Sequence, residues 1–91
     1  MELPPRLMNL IDIIDLYKNS KNNRDILRKN LTCGCFHCKK IFNTTEITDW
    51  TDNGETACCP FCGIDSVVVS TPNWQLTEEV LETLYKYYFK R

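Results

Sequence analysis

The sequence feature that most restricts the fold is a pair of cysteine clusters, CGCFHC and CCPFC, which begin at positions 33 and 58. Within them, four cysteines follow the pattern C-x2-C-x20-C-x2-C: Cys35, Cys38, Cys59 and Cys62. Two residues between thiols allow a tight turn to direct both sulfurs at one ion, and two such turns complete a tetrahedron of thiolates. Pro60 and Gly63 suit such a turn, since proline fixes φ and glycine tolerates a tight backbone. The spacing predicts one structural Zn²⁺ per chain.

A disulfide scaffold is the main alternative to a metal site, and iron is the alternative metal. Disulfides need an oxidising compartment. Asp12 and Asp15 interrupt the apolar stretch near the N-terminus, so this segment is a poor signal peptide. No apolar run approaches the ~20 residues of a membrane span. We therefore expect a cytoplasmic protein with no membrane segment, and we favour zinc over disulfides and over iron.

Three residues beside the predicted ligands leave the ligand set open: Cys33, His37 and Cys58. Each could replace or supplement a ligand, or Cys33 and Cys58 could serve as redox thiols. We favour the interpretation that the two cysteines are unliganded neighbours, because no basic residue flanks Cys58 to lower its pKa. The position of His37 inside the first turn favours an outward orientation.

The length of 91 residues predicts a single domain that needs a metal or a partner to supplement its core. Its helix and strand signals predict the α+β class. We expect a zinc-ribbon-like centre at 32–70 with a short β-hairpin. A helical N-terminal segment (1–31) and a C-terminal segment with one helix (71–91) flank this centre.

Apolar periodicity predicts helices over 5–18, 23–29 and 76–91. In the first, Leu7, Leu10, Ile11, Ile14 and Tyr17 form the main stripe, and Met8, Ile13 and Leu16 flank it. The last begins with Thr77 as its N-cap.

Shorter signals lie within the centre. Asn43 and Glu46 have the spacing of a capping box and predict a short helix over 43–50. The sequence DNG (52–54) predicts a turn. The segments ETAC (55–58) and SVVVS (66–70) predict a β-hairpin with each other.

The stretches CGCFHCKKIF, EITDW and TACCPFCGIDSV together resemble a family of small, largely uncharacterised cytoplasmic proteins of bacteria and their phages. The family pattern is approximately CGCF-x-C-x3-F, EI-x2-W, TA-x-CP-x-CGIDSV, preceded by a helix that RDIL (24–27) fits. The resemblance covers about residues 20–70. It implies a zinc-binding fold carried by the four predicted ligands, with Cys33 also in the pattern and Cys58 replacing a usual aliphatic residue. It implies no particular activity.

The segment that follows the second pair, IDSV (64–67), also belongs to this pattern. We expect Ile64 and Val67 to be core residues. Asp65 and Ser66 are expected to cap a turn or to hydrogen-bond the metal turn.

Charge and aromatic content favour a protein-interaction module that is not an enzyme. Four protein ligands leave zinc no open position for catalysis, and no nucleophile–base pair or phosphate-binding loop is present. The net charge is −1, and residues 32–70 hold two basic against five acidic side chains, which makes nucleic acid an unfavourable partner. We expect another protein or a second copy to bind, through aromatic residues of the last helix: Tyr85, Tyr87, Tyr88 and Phe89.

Such a module could act as a regulator or inhibitor. The alternative function is a nucleic-acid-binding zinc ribbon, in which Lys18, Lys21, Arg24, Arg28, Lys29, Lys39 and Lys40 would form one basic patch. A redox or metal-sensing enzyme that uses Cys33 and Cys58 is the weakest of the three.

Overall fold

The structure is a computed structural model, and it describes residues 10–70 and 74–89. These residues contain three α-helices: α1 (Leu10–Tyr17), α2 (Arg24–Arg28) and α3 (Glu78–Tyr88). They also contain five short strands: β1 (Thr32–Cys35), β2 (Ile41–Asn43), β3 (Trp50–Thr51), β4 (Thr56–Ala57) and β5 (Val67–Val68). The predicted α+β class is confirmed.

The strands form two antiparallel sheets. One has three strands in the order β2–β1–β5, and the other pairs β3 with β4. The predicted turn at 52–54 is confirmed and joins β3 to β4. Asp52, Asn53 and Gly54 all have positive φ there, at 53°, 59° and 84°, which is the backbone conformation that favours asparagine and glycine.

The predicted hairpin between residues 55–58 and 66–70 is wrong. The turn at 52–54 brings β3 directly beside β4, so β4 already has its partner. The strand β5 instead pairs with β1, with Gly34 opposite Val68 and Cys35 opposite Val67. The amide of Phe36 donates to the carbonyl oxygen of Ser66 at 3.1 Å and extends this contact.

The helices form at the predicted positions, but the residues at which they begin and end differ from the prediction. The predicted first helix is confirmed from residue 10 onward, and its residues 5–9 lie outside the described residues. The predicted helix 23–29 is confirmed as α2. In α3 the hydroxyl oxygen of Thr77 accepts from the amide of Val80 at 3.2 Å, which confirms the N-cap. The helix predicted from residue 76 begins at Glu78, and residues 90–91 lie outside the described part.

The predicted helix over 43–50 is wrong in extent, since only one 3₁₀ turn (Thr44–Glu46) forms. Its capping box is present: the Glu46 carboxylate accepts from the amide of Asn43 at 3.0 Å, and the Asn43 side chain accepts from the amide of Thr45 at 3.0 Å. The backbone is extended again at Ile47, and β3 follows, so the turn does not propagate.

Two hydrophobic clusters fill the interior, one on each side of the three-stranded sheet. We call the first the helical cluster; its buried members are Ile13, Leu16, Phe36, Val68, Trp74, Leu76, Val80, Leu81 and Leu84. We call the second the cysteine-side cluster; its buried members are Leu27, Cys33, Cys35, Phe42, Ile47, Ala57, Cys59, Val67 and Val69. Val67, Val68 and Val69 alternate between the clusters, as successive residues of a strand do.

Helix α3 packs closely against β1 at Gly34. A Cβ atom at this position would lie 3.0 Å from the Cδ1 atom of Leu81 and 3.3 Å from the Cδ1 atom of Leu76. The missing side chain therefore lets the helix approach the strand.

Helix α1 presents two apolar faces. Ile13 and Leu16, which flank the main stripe of the sequence, are the residues buried in the helical cluster. Leu10, Ile11 and Ile14 of the main stripe are 51%, 77% and 49% exposed. These three residues therefore point away from the core, whereas Tyr17 of the same stripe packs against the helical cluster.

Candidate metal centre

Two turns of the same design carry the predicted ligands. The first runs from Cys35, at the end of β1, to Lys39, and the second runs from Cys59 to Gly63. In each turn the amide of the fifth residue donates to the carbonyl oxygen of the first cysteine, at 2.7 Å for Lys39 and 2.9 Å for Gly63. Both fifth residues have positive φ, 66° for Lys39 and 80° for Gly63. The expectation for Gly63 is thus confirmed, whereas Lys39 adopts the same conformation without being glycine.

Each turn is anchored by a second backbone hydrogen bond. The amide of Cys35 donates to the carbonyl oxygen of Lys40 at 2.9 Å, and the amide of Cys59 donates to the carbonyl oxygen of Ile64 at 2.9 Å. Both cysteine pairs are therefore held by the backbone in the same way, with two hydrogen bonds in each turn.

The four sulfurs converge on one point. The Sγ atoms of Cys35, Cys38, Cys59 and Cys62 all lie within 4.8 Å of one another. Cys35 and Cys62 are 3.5 Å apart, and Cys38 and Cys59 are 3.6 Å apart. A tetrahedral zinc with bonds of about 2.3 Å to sulfur needs S···S edges of about 3.8 Å. A disulfide needs about 2.05 Å, and all six cysteines are free thiols. These four side chains could hold a metal ion, and the donor set fits zinc.

Hydrogen bonds from the backbone point at the sulfurs. The amide of Cys38 donates to the Sγ atom of Cys35 at 3.5 Å, and the amide of Phe61 donates to the Sγ atom of Cys59 at 3.3 Å. These donors stabilise thiolates and orient them towards the centre.

Ser66 adds a side-chain contact to this set. Its side chain is 1% exposed, and its Oγ atom lies 2.9 Å from the Sγ atom of Cys35. The expectation that Ser66 hydrogen-bonds the metal turn is confirmed.

Burial and hydrogen bonding act on the ligand pKa values in opposite directions. Burial raises the pKa of the Cys35 thiol to about 11, against the hydrogen bonds from Ser66 and from the turn. Burial also raises the pKa values of Cys38 and Cys62. At Cys59, burial is outweighed by hydrogen bonds from the amides of Phe61 and Cys62 and from the thiols of Cys38 and Cys35, and the pKa is lowered. A buried thiolate cluster is therefore unfavourable without a positive charge, which a divalent ion supplies when it is bound.

Cys33 and Cys58 lie outside the group of four. Cys33 is fully buried, 3.7 Å from the carbonyl oxygen of Phe42, and burial raises the pKa of its thiol to about 12. Cys58 is half-buried, and this burial, together with Asp65, Asp49 and Asp52, raises its pKa. Both side chains stay protonated near neutral pH, which supports their interpretation as unreactive neighbours.

His37 is also outside the group of four, although it lies between two of its members. Its ring packs against Phe89 and Tyr85, with centroid distances of 5.1 and 6.0 Å. Its Nδ1 atom is buried and has no hydrogen-bond partner among the described residues. The turn therefore directs this side chain to the end of α3.

The four predicted partner-binding residues belong to this same end of α3. Tyr88 stacks on Tyr17 at 3.8 Å, and Phe89 lies 5.5 Å from both Phe36 and Tyr85. These contacts tie α3 to α1 and to the first metal turn. Tyr87 and Phe89 are still 37% and 46% exposed. The rings therefore complete the fold and leave part of their surface to solvent.

The segment after Cys62 matches the prediction in part. Val67 is fully buried, as expected, but Ile64 is 37% exposed, so its prediction as a core residue is wrong. The reason is local, because the carbonyl group of Ile64 closes the second turn and holds this residue at the surface. Asp65 is exposed, and its carboxylate lies 3.8 Å from the Lys21 ammonium group.

Sequence reasoning missed Asn23, which connects β4 and β5 to the start of α2. It is 1% exposed, its amide donates to the carbonyl oxygen of Val67 at 3.0 Å, and its side-chain oxygen accepts from the amide of Ala57 at 3.0 Å. The sequence NSKNN indicates only a break between helices. Nothing in it separates a buried asparagine from exposed ones.

The chain matches no profile of a known protein family, and comparisons with curated proteins and with solved structures give no significant match. Among the described residues, no helix has the length and apolar character needed to cross a bilayer. The function therefore has to be inferred from the geometry of the chain itself.

Proposed function

We propose that this protein is a cytoplasmic protein-interaction module whose fold is stabilised by one structural Zn²⁺ on Cys35, Cys38, Cys59 and Cys62. Four thiolates fill a tetrahedral coordination sphere and leave no position for water or substrate. Such a centre contributes folding free energy and does no chemistry. The protein would act on its partner by occupying a surface, as a regulator or inhibitor does.

The observation that carries this proposal is the outward face of α1. Leu10, Ile11 and Ile14 are each about half exposed or more, on one side of a helix whose other side is in the core. Isolated apolar residues are common on surfaces, but a contiguous apolar helix face marks an interaction site. An amphipathic helix face of this kind binds a hydrophobic groove or a second helix.

Charge supports a protein partner over nucleic acid. Several basic side chains that a nucleic-acid site would use lie near acidic groups of the chain. Lys18 is 3.0 Å from Asp15, and Lys39 is 3.9 Å from Glu82. Lys21 is beside Asp65, as described above. A centre of four thiolates and Zn²⁺ carries two net negative charges, which also repel a phosphate backbone.

Ile11→Asp is the variant that tests the interaction surface, because Ile11 is the most exposed residue of this face. Thr48→Asp adds the same charge at another exposed position and serves as the control. The mass of the zinc-loaded protein is measured by analytical ultracentrifugation over a range of concentrations, followed by affinity capture from cell extract.

We expect self-association or capture of a specific protein by the unchanged chain and by Thr48→Asp, and its loss in Ile11→Asp. A protein that stays monomeric and captures nothing contradicts the proposal. So does an Ile11→Asp variant that binds as the unchanged chain does. Salt-dependent retardation of DNA or RNA would favour the alternative function.

A further inference from the structure

A cleft lies between α2 and the segment that runs from the 3₁₀ turn to β3. Its volume is about 320 Å³, and its lining includes Arg24, Leu27, Arg28, Leu31, Thr45 and Trp50. None of the four metal-site cysteines and no residue of α1 lines this cleft, so it is a separate surface from the one proposed to bind the partner.

One wall of the cleft is cationic. Arg24 and Arg28 are four residues apart on α2 and therefore share a face of the helix. The guanidinium of Arg24 lies 4.9 Å from the centroid of the Trp50 ring and donates to the carbonyl oxygen of Gly54 at 2.6 Å, which fixes its position. Arg28 is 3.8 Å from Asp25, and both side chains are more than two-thirds exposed. Such a pair is weak, so Arg28 keeps its donors for a ligand.

The lining of the cleft is also aliphatic. Leu27 is buried beneath the cleft, whereas Leu31 is 73% exposed beside it. An exposed leucine next to an arginine with weakly used donors gives a surface for a ligand that combines an apolar group with an anion.

The opposite rim offers hydrogen-bond acceptors. The hydroxyl of Thr44 donates to the carbonyl oxygen of Asn30 at 2.9 Å, and the hydroxyl of Thr45 donates to the side-chain oxygen of Asn43 at 2.9 Å. Since both hydroxyl hydrogens are used within the chain, the two oxygens can only accept from a ligand.

We propose that this cleft binds a short peptide segment of the partner protein in which an aspartate or glutamate lies beside a bulky aliphatic residue. The carboxylate meets the arginines, the aliphatic side chain covers Leu31, and a backbone N–H donates to the threonine rim. The inference rests on the proposed function, because it names the partner's chemistry at a second surface of the same module.

A nucleotide fits the cleft less well than a peptide. Trp50 is the ring on which a base would stack. Arg24 covers one face of this ring, and the ring also packs against the cysteine-side cluster. Little ring surface is left for a base, while the aliphatic surface of Leu31 has no function in phosphate binding.

The test uses the full-length, zinc-loaded, ¹⁵N-labelled protein and a capped peptide of alternating leucine and glutamate. A second peptide has glutamine in place of glutamate, and an oligothymidine is the nucleic-acid probe. Backbone amide shifts locate the binding site, and titration gives the affinity. The variants are Arg28→Gln and Leu31→Ser. Lys29→Gln is the control, since Lys29 is exposed on the same segment but does not line the cleft.

We expect the glutamate peptide to shift the amides around Arg28, Leu31 and Trp50. Arg28→Gln should weaken this binding at least about tenfold, as the loss of a charge-assisted hydrogen bond does. Leu31→Ser should also weaken it, Lys29→Gln should leave it unchanged, and the glutamine peptide should bind more weakly.

The proposal is overturned by no shifts at millimolar peptide, by equal affinities for Arg28→Gln and Lys29→Gln, or by oligothymidine displacing the peptide from the cleft. These results concern the cleft alone, and the proposed function is still supported if Ile11→Asp abolishes partner binding. The proposed function fails separately, if the zinc-loaded chain associates with no protein at all.

Discussion

Asn23→Ala should be among the most destabilising single substitutions outside the metal ligands. The Asn23 amide donates to the carbonyl oxygens of Asn19 at 2.9 Å and of Val67 at 3.0 Å, and its oxygen accepts from the amide of Ala57 at 3.0 Å. Val67 and Ala57 are fully buried. Truncation therefore leaves a carbonyl and an amide without partners where water does not reach them.

The size of the effect follows from these contacts. A buried polar group that loses its partner costs about 1–3 kcal/mol. Two such groups, with a weaker third bond to Asn19, give a loss of about 3–5 kcal/mol in the free energy of unfolding. A domain of this length has roughly 5–14 kcal/mol in total, so the variant should be close to the limit of folding.

The assay is urea unfolding of the zinc-loaded protein, followed by circular dichroism at a fixed free zinc concentration, because bound metal adds to stability. Asn30→Ala is the matched control. The Asn30 amide makes one bond, to the carbonyl oxygen of Ile26 at 2.7 Å, in a partly buried position, and its loss should cost about 1 kcal/mol. Equal losses for the two variants would show that the buried contacts of Asn23 add nothing beyond those of a partly buried asparagine.

Three further predictions concern the metal turns. Ser66→Ala removes the hydroxyl beside Cys35 and should lower zinc affinity about 10–100-fold in competition with a chelating dye, whereas unchanged affinity would contradict its role. Lys39 and Gly63 both have positive φ, which is less favourable for a residue with a side chain than for glycine. Lys39→Gly should therefore raise the free energy of unfolding by about 1 kcal/mol, and Gly63→Ala should lower it by about 1 kcal/mol. Shifts of the urea midpoint in the same direction for both variants would contradict this. Removal of the metal by a chelator should abolish the cooperative thermal transition, and a retained transition would show that the ion is dispensable.

The parts of the fold that depend on local chemistry could be predicted from the sequence. The two cysteine pairs converge because a turn of five residues fixes each pair, and Gly63 has the positive φ that its position in the turn suggested. The capping box at Asn43 and the N-cap at Thr77 are also local, since each depends on atoms two or three residues away.

The parts that depend on distant contacts could not be predicted in the same way. The strand β5 is equally apolar on both sides, so its pattern does not distinguish β1 from β4 as a partner. Helix α1 has apolar residues over most of its surface, and only its packing into the helical cluster selects Ile13 and Leu16 for the core. The contacts of Asn23 span 34 and 44 residues, and no sequence spacing indicates them.

Native mass spectrometry with metal analysis shows whether the four cysteines hold a structural Zn²⁺. We expect one zinc per chain, kept in Cys33→Ser and Cys58→Ser and lost in Cys35→Ser and Cys62→Ser. A chain without metal, whose mass is lower by the hydrogens of paired cysteines, would contradict it.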